Sequence, residues 1–476
     1  MDITNPTLKP YPAYKDSGVP WLGEIPAHWE MQPGFSAIRE KQHKNTGMAE
    51  TTVLSLSYGR IVIKPPEKLH GLVPASFETY QIVDPGDIII RPTDLQNDWM
   101  SLRVGIARDR GIITSAYLCL RTVGPTIPEY TYWLLHAYDL MKVFYGMGSG
   151  LRQNLDFTDL KRMPVLVPPL PEQSAIAAFL THIDTRVNRL IRVKRRMIVL
   201  LNEQKQAIIH RAVTRGLDPD VRLKPSGVEW LGEVPEHWEV RRLKSLITEA
   251  VAGPYGSSLT KAMYTKQGYR VYGQQQVIPD NFSVGDYYIS AEKFAEMIRY
   301  HVTPNDVLVS VMGTVGRIAV VPESAEPGII NPRLVRYRPD FNKIRARYVQ
   351  LAMQASPSQT QLAEGAKGTT MEGLNMQILG RLLILVPPLQ EQDAILKNVD
   401  LGTQQLVSVI NKAQREIDLI REYRTRLVAD VVTGKLDVRG VDLAAYGDEL
   451  AGLDEALADE DDEGEEEIDE VEEDAG

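Results

Sequence analysis

The feature that most constrains this chain is that it says the same thing twice. SGVPWLGEIPAHWE begins at Ser17 and SGVEWLGEVPEHWE at Ser226, with 11 of 14 positions identical. LKRMPVLVPPLPEQSAI from Leu160 is matched by LGRLLILVPPLQEQDAI from Leu379, and AVTRGLD from Ala212 by VVTGKLD from Val431. Each half therefore reads: Trp-rich phrase, variable stretch, VPPL-x-EQ, a long charged and apolar segment, and VT-x-x-LD. Two long copies are not a solenoid, which stacks several short repeats. They define an internal pseudo-dimer. The segments after VPPL are equal in length and alike in pattern, whereas the stretches before it differ by about ten residues and share little. The sequence thus separates a constant frame from changeable modules.

The constant segments predict long helices. Pro171 suits a first helical turn, where its missing N–H costs nothing, and Glu172 suits the positive helix start. Ile176, Leu180, Ile183, Val187, Leu190, Lys194, Met197, Leu201, Gln204 and Ile208 then alternate steps of four and three, a heptad seam. At 1.5 Å per residue, Ile176 to Ile208 spans about 48 Å, somewhat more than one turn of B-DNA. The second copy places Ile395, Val399, Leu406, Val409, Ala413, Ile420, Tyr423 and Leu427 on the same spacing, broken by Gly402 and Glu416. The simplest expectation is that the two helices pack antiparallel. The variable stretches read as mixed α and β, with DIIIRP and VLVSVMG as strands, YTYWLLHAYDLM as a helix, and a break at Pro357.

Composition narrows the class. A 476-residue chain exceeds one hydrophobic core, and 43% apolar with 24% charged residues is a globular composition. No membrane span or signal peptide is visible, and the single cysteine, Cys119, excludes an internal disulfide and fits a reducing cytoplasm. The net charge of −10 is uneven: Asp448 to Asp474 holds 17 acidic residues, leaving 46 acidic against 53 basic elsewhere, about +7. A mildly basic body can sit on a polyanion. The tail is either a solvating segment or a DNA-mimicking partner hook.

Catalytic signatures are missing. There is no phosphate loop, no strand-linked dinucleotide fingerprint and no HExxH. NPRL at 331–334 shares only Asn-Pro with the amino-methyltransferase motif, and Asp84, Asp87 and Asp94 read as turn residues around a strand. No catalytic, cofactor-binding or metal residue is assigned; His28 and His237 are structural. The polar tools of nucleic-acid contact are present in the changeable modules. Module one offers Arg60, Lys64, Lys68, Arg91, Gln96, Asn97, Arg103, Arg152, Gln153 and Asn154. Module two offers Tyr255, Ser257, Ser258 and Lys261 in GPYGSSLTK, then Gln274, Gln275 and Gln276, and Lys367 and Thr369 in KGTT. Lys and Arg neutralise phosphates, Arg reads guanine, and Gln or Asn reads adenine.

Together these features resemble the specificity subunit of type I restriction-modification systems. The resemblance rests on the paired WLGEIPAHWE and WLGEVPEHWE, VPPLPEQ and VPPLQEQ, VTRGLD and VTGKLD, and on GPYGSSL, YRVYGQQQV and VLVSVMGTVGRIAVV. It implies an α+β/α chain with a pseudo-two-fold repeat. Two mixed α/β target-recognition domains, 16–167 and 216–386, would be separated by helices at 168–215 and 387–438 forming an antiparallel coiled coil. A 1–15 extension and a disordered acidic tail at 439–476 would flank them. The family's subunit reads a split, asymmetric site on double-stranded DNA, one half per domain, and has no catalytic activity. It recruits two methyltransferase subunits, which use S-adenosylmethionine, and two ATP- and Mg-dependent restriction subunits. The competing classes are a coiled-coil protein adapter and a self-contained methyltransferase or nuclease. The tail lies outside the family pattern.

Overall fold

In the computed structural model, residues 8–65, 76–148, 153–228, 231–314, 316–366 and 374–443 are described; the acidic run from Asp448 lies outside them. These residues form two compact units, one holding 8–194 with 414–443 and the other 195–413. Both boundaries fall inside the long helices.

In the first unit Tyr14–Asp16 (β1) pairs with Glu24–Pro26 (β2) across the first copy of the phrase. Glu30–Pro33 (β3) and Ile38–Glu40 (β4) follow, then the hairpin Leu54–Ser57 (β5) and Arg60–Ile63 (β6). Next come Gln81–Val83 (β7), Ile88–Ile90 (β8), Val104–Ile106 (β9), Gly111–Ile113 (β10) and Leu118–Thr122 (β11). Helices Pro128–Leu140 (α1) and Phe157–Lys161 (α2), strand Pro164–Val167 (β12) and helix Leu170–Arg215 (α3) complete the series. The core is an antiparallel sheet in the order β4-β11-β8-β9. All three β8 isoleucines are fully buried, which explains an unbroken apolar run in place of an alternating one.

The second unit repeats the plan. Leu223–Pro225 (β13) pairs with Glu233–Pro235 (β14) across the second copy of the phrase. Glu239–Arg242 (β15), Ile247–Ala252 (β16) and Tyr269–Tyr272 (β17) lead to the short helix Gln274–Val277 (α4). Tyr288–Ile289 (β18), Ala291–Glu296 (α5), Val307–Ser310 (β19), Ile318–Val320 (β20), Gly328–Ile330 (β21) and Leu334–Pro339 (β22) follow. Helices Ala346–Gln354 (α6), Ser356–Ala366 (α7) and Met376–Arg381 (α8) precede Leu383–Val386 (β23) and Leu389–Val432 (α9). The sheet order is β16-β22-β19-β20, strand for strand that of the first unit. Pro357 sits in the first turn of α7, so the expected break falls at Ala355, between α6 and α7.

Each changeable module is closed by its own ends. The strand after the phrase, β3, pairs antiparallel with the strand before VPPL, β12, and β15 pairs with β23 in the same way. The chain thus enters and leaves each module side by side.

The long helices pair within each unit. In the first, Asp184 meets Arg424 at 2.5 Å and Lys194 bonds Glu416; in the second, Ile208 lies beside Gly402. Numbers rise along one helix as they fall along the other, so the pairing is antiparallel. The buried stripe departs from a strict heptad. On α3, Ile176, Leu180, Ile183 and Val187 are buried, but the stripe then passes through Ile191 and Ile209. Leu190, Leu201 and Ile208 are only half-buried, and Met197 is 36% exposed. On α9 it runs through Ile395, Val399, Thr403, Ala413, Ile417 and Leu427; Leu406 and Ile420 are half-buried and Val409 is 43% exposed. A straight helix of 3.6 residues per turn drifts about 20° per heptad from a 3.5 repeat, which moves the buried position on by one. The expected breaks at Gly402 and Glu416 disappear on this period: Thr403 and Ile417 occupy the stripe, and Glu416 flanks it as the partner of Lys194. Among the described residues no helix is long and apolar enough to cross a membrane.

Candidate nucleic-acid interface

The repeated phrase belongs to the frame. Trp29 is fully buried and its Nε1–H donates to Glu172 Oε1 at 2.8 Å, while His28 Nε2 contacts Glu172 Oε2 at 2.9 Å. The second copy repeats this: Trp238 Nε1–H donates to Glu391 at 3.1 Å, and His237 Nε2 lies 2.7 Å from the other oxygen. The phrase therefore grips the acidic residue at the start of its own helix, where a carboxylate is also favoured by the helix dipole. The neighbouring glutamines work alike. Gln173 accepts from Ile127 N–H and donates to the carbonyls of Pro125 and Pro168. Gln392 accepts from Arg345 N–H and donates to those of Lys343 and Pro387.

The end of the other copy's helix closes each junction. Gly434 of VTGKLD, at φ +78°, leaves no room for a side chain beside Pro26 and Trp29; Gly216 of VTRGLD, at φ +74°, lies against Trp238. Trp21 packs edge-on against Tyr138 at 4.9 Å, and Trp230 lies outside the described residues. These aromatic groups hold the module roots and leave sequence reading to other residues.

In module one the polar residues gather around the segment between β8 and β9. Arg91, Asn97 and Arg103 belong to it, Asn154 accepts from its Asp94 N–H, and Gly59 in the β5–β6 turn packs on Leu102, which brings Arg60 alongside. Arg60, Lys64 and Asn97 are exposed. Arg103 is not a surface contact: it is 0% exposed, and its guanidinium donates to the carbonyls of Thr93, Asp94 and Asp98 at 2.6, 3.2 and 2.7 Å and to Tyr145 Oη at 3.1 Å. A loop that turns back on itself leaves carbonyls without strand partners, and Arg103 satisfies them. Gln153 is likewise occupied, donating to the carbonyls of Tyr145 and Met147. Arg91 pairs with Asp98 at 2.9 Å. Burial opposes ionisation of Asp98, but the Ser101 N–H and hydroxyl and the two arginines together hold its carboxyl below the usual range. Arg152 and Lys68 lie outside the described residues.

Asp84 and Asp87 form a turn neutralised by cations. Lys41 bonds both, Arg121 reaches them at 3.0 and 3.1 Å, and Arg110 reaches Asp84 at 2.7 Å. Hydrogen bonding from Lys41 is the main cause that holds the Asp84 carboxyl low. Module two has the same device, Asp306 with Arg336 and Arg338, and no metal-ligand group occurs among the described residues.

In module two, Gln274 Nε2–H donates to Ser310 Oγ at 2.8 Å and to the Met312 carbonyl at 2.7 Å, and Arg333 donates to Gln274 Oε1 at 3.1 Å. Gly253 N–H donates to the Leu334 carbonyl, so the GPYGSS loop lies over the same turn. Tyr255 is 69% exposed, and Ser257, Ser258, Lys261 and Gln275 are exposed around it. Gln276 is buried and structural, accepting from Gly273 N–H and donating to the Val284 carbonyl. Lys367 and Thr369 lie outside the described residues. Sequence reasoning missed Arg333, whose NPRL context is an Asx turn with Asn331 accepting from Arg333 N–H at 2.9 Å, and it missed exposed Trp99 and Met100. An apolar pair between polar loop residues was the available signal.

Two modules on one frame, each carrying a polar, cation-bearing face and neither carrying a catalytic constellation among the described residues, define a double reader. The type I restriction modification DNA specificity domain matches residues 116–198 and 235–417, more than half of the chain, and the chain belongs to that family. The MjaX specificity subunit of Methanocaldococcus jannaschii is 23% identical over 430 residues, covering 88% of this chain and 96% of that one. The MjaVIII specificity subunit of the same organism is 22% identical over 372 residues, covering 75% and 82%. A solved structure concerned with complex assembly and conformational transition of the type I R-M system matches with TM-score 0.58 and 16% identity. The match covers 87% of this chain and 99% of that one, a likeness of fold.

Proposed function

We propose that this chain is the DNA-reading subunit of a type I restriction-modification assembly in the cytoplasm. Each module reads one half of a bipartite, asymmetric site on double-stranded DNA, and α3 and α9 set the gap. The chain is non-catalytic. Two methyltransferase subunits supply S-adenosylmethionine chemistry, and two restriction subunits supply the ATP- and Mg-dependent step. The observation that carries this reading is the frame itself: one set of anchors occurs twice, while the loops it holds up differ. A feature common to both halves cannot specify two different half-sites.

The test is methylome sequencing of cells expressing the full chain with its cognate methyltransferase. A bipartite adenine-containing motif with a degenerate gap is expected, and exchanging residues 31–160 for those of a relative should change one half only. A contiguous palindrome, or a change in both halves, would overturn the proposal.

A further inference from the structure

Each module has its own sheet, and the two sheets follow the same strand order, which makes their loops directly comparable. β8 and β9 of module one correspond to β19 and β20 of module two, with the same neighbours in the same order. The turns entering these strands are alike: Asp87 accepts from Asp84 N–H and Asp306 from Thr303 N–H, both at 2.8 Å. What joins the strands is not alike. The connection is residues 91–103 in module one and 311–317 in module two. At one position on a common frame, therefore, the two halves present different structures, which is what a reader of two different half-sites requires.

The 91–103 loop is built to hold its tip still. All five N–H groups of buried Arg103 are engaged, four on loop carbonyls and one on Tyr145. Leu95 is fully buried beneath the loop. Trp99 stacks on Tyr145 at 4.5 Å and its Nε1–H donates to the Gln96 carbonyl at 3.2 Å; Lys142 donates to the Trp99 carbonyl. Asp98 Oδ1 accepts from the backbone N–H of Met100 and Ser101, and Asn154 Oδ1 accepts from that of Asp94. The loop's acidic groups are engaged as well, Asp98 by Arg91 and Arg103 and Asp94 by the Asn97 amide.

The scaffold leaves Gln96 and Met100 projecting, and Met100 is 90% exposed. An almost wholly exposed methionine in the same loop as an exposed amide has no internal purpose. Its chemistry suits a base pair: Gln makes a bidentate contact to adenine, and an apolar side chain meets a thymine methyl or wedges at a base step. Ordering this loop in advance also removes an entropic cost from binding.

We propose that residues 94–100 are the base-reading tip of module one, with Gln96 the hydrogen-bonding reader of one A·T pair in its half-site and Met100 the apolar contact to the adjoining step. This rests on the function proposed above. The test uses the full chain in complex with its methyltransferase partner, its methylome, and titration with DNA carrying each single-base variant of the motif. Gln96→Ala should relax one position of one half-site, by about 5- to 150-fold in discrimination. Met100→Ala should weaken binding by about tenfold without altering the other half-site. Phe341→Ala, an exposed apolar residue on the other module, should leave the same half-site unchanged. Both substituted positions are exposed, so folding is spared. A bipartite wild-type motif whose half-sites and affinity survive both substitutions overturns the loop assignment alone. Absence of any bipartite motif with wild-type chain overturns the parent reading.

Discussion

Replacing Glu172 and Glu391 by alanine, one at a time, separates the two copies of the frame by a difference that the sequence repeat conceals. Both glutamates accept from a buried tryptophan and a histidine, but Glu172 also accepts from Tyr11, a residue 3% exposed whose hydroxyl lies 2.5 Å away. Among the described residues the second copy has no such third donor, and Glu391 is 27% exposed against 4% for Glu172. The histidines are 40% and 48% exposed, so water takes over their bonds at little cost. What remains is the number of buried donors orphaned: Tyr11 and Trp29 in one case, Trp238 in the other. Each orphaned buried donor costs about 1–3 kcal/mol, so Glu172→Ala should destabilise its unit by about 2–6 kcal/mol and Glu391→Ala by about 1–3 kcal/mol. Because the two glutamates lie in different units, the measurement is a urea titration read by peptide-resolved hydrogen exchange, which reports on each unit by itself. Glu172→Gln keeps one acceptor oxygen and should fall between alanine and wild type. Equal losses at the two sites, or losses below about 0.5 kcal/mol at both, would refute the argument that the phrase is held through this carboxylate.

Two further outcomes follow from buried groups in the first unit. His136 is 1% exposed, and burial pushes its imidazole down to about 3, so the unfolded chain takes up a proton near pH 6.5 that the folded unit refuses. Stability is therefore lost as pH falls below about 6.5, at up to about 1.4 kcal/mol per pH unit, and His136→Phe should gain about 2 kcal/mol on wild type between pH 7 and pH 5 in paired urea titrations. Asp139 acts in the opposite sense: burial pushes it up to about 6, so its contribution is present at low pH and lost as pH rises through that value. It is common to both chains and cancels in the difference. Arg103→Met should raise hydrogen exchange at Asp98 and Leu155 by at least about tenfold while the β8–β9 ladder stays protected; unchanged exchange would mean that the loop does not depend on this guanidinium.

The frame was legible because it is written twice. Anchors shared by the halves stand out against stretches that are not shared, and Glu172, Glu391, Gln173 and Gln392 sit in the repeated VPPL-x-EQ. The helices and their antiparallel pairing were legible from spacing, but their buried faces were misplaced by one residue at several positions. A heptad count assumes a supercoil, and Ile191, Ile209 and Ile417 follow the 3.6-residue period of straighter helices.

The loops were legible only in composition, and the reason is physical. An arginine or glutamine in a loop can serve a phosphate, a base or the loop's own carbonyls, and sequence does not say which carbonyls lack a strand partner. Arg103, Gln153 and Gln276 carry the residue types of DNA contact, yet all three are committed inward. Once Arg103 and Gln153 are withdrawn, the exposed polar set of module one includes Arg60, Lys64, Gln96 and Asn97, the last two on the tip that Arg103 supports. The arginine that looked like a reader is the support for one, and the residues left outward, Gln96 and Met100, are those whose neighbours cannot use them. In module two, withdrawing Gln276 leaves Tyr255, Ser257, Ser258, Lys261, Gln275 and Arg333 exposed. Specificity in such a chain follows from which polar groups the backbone leaves unclaimed, and that depends on how each loop closes its own hydrogen bonds.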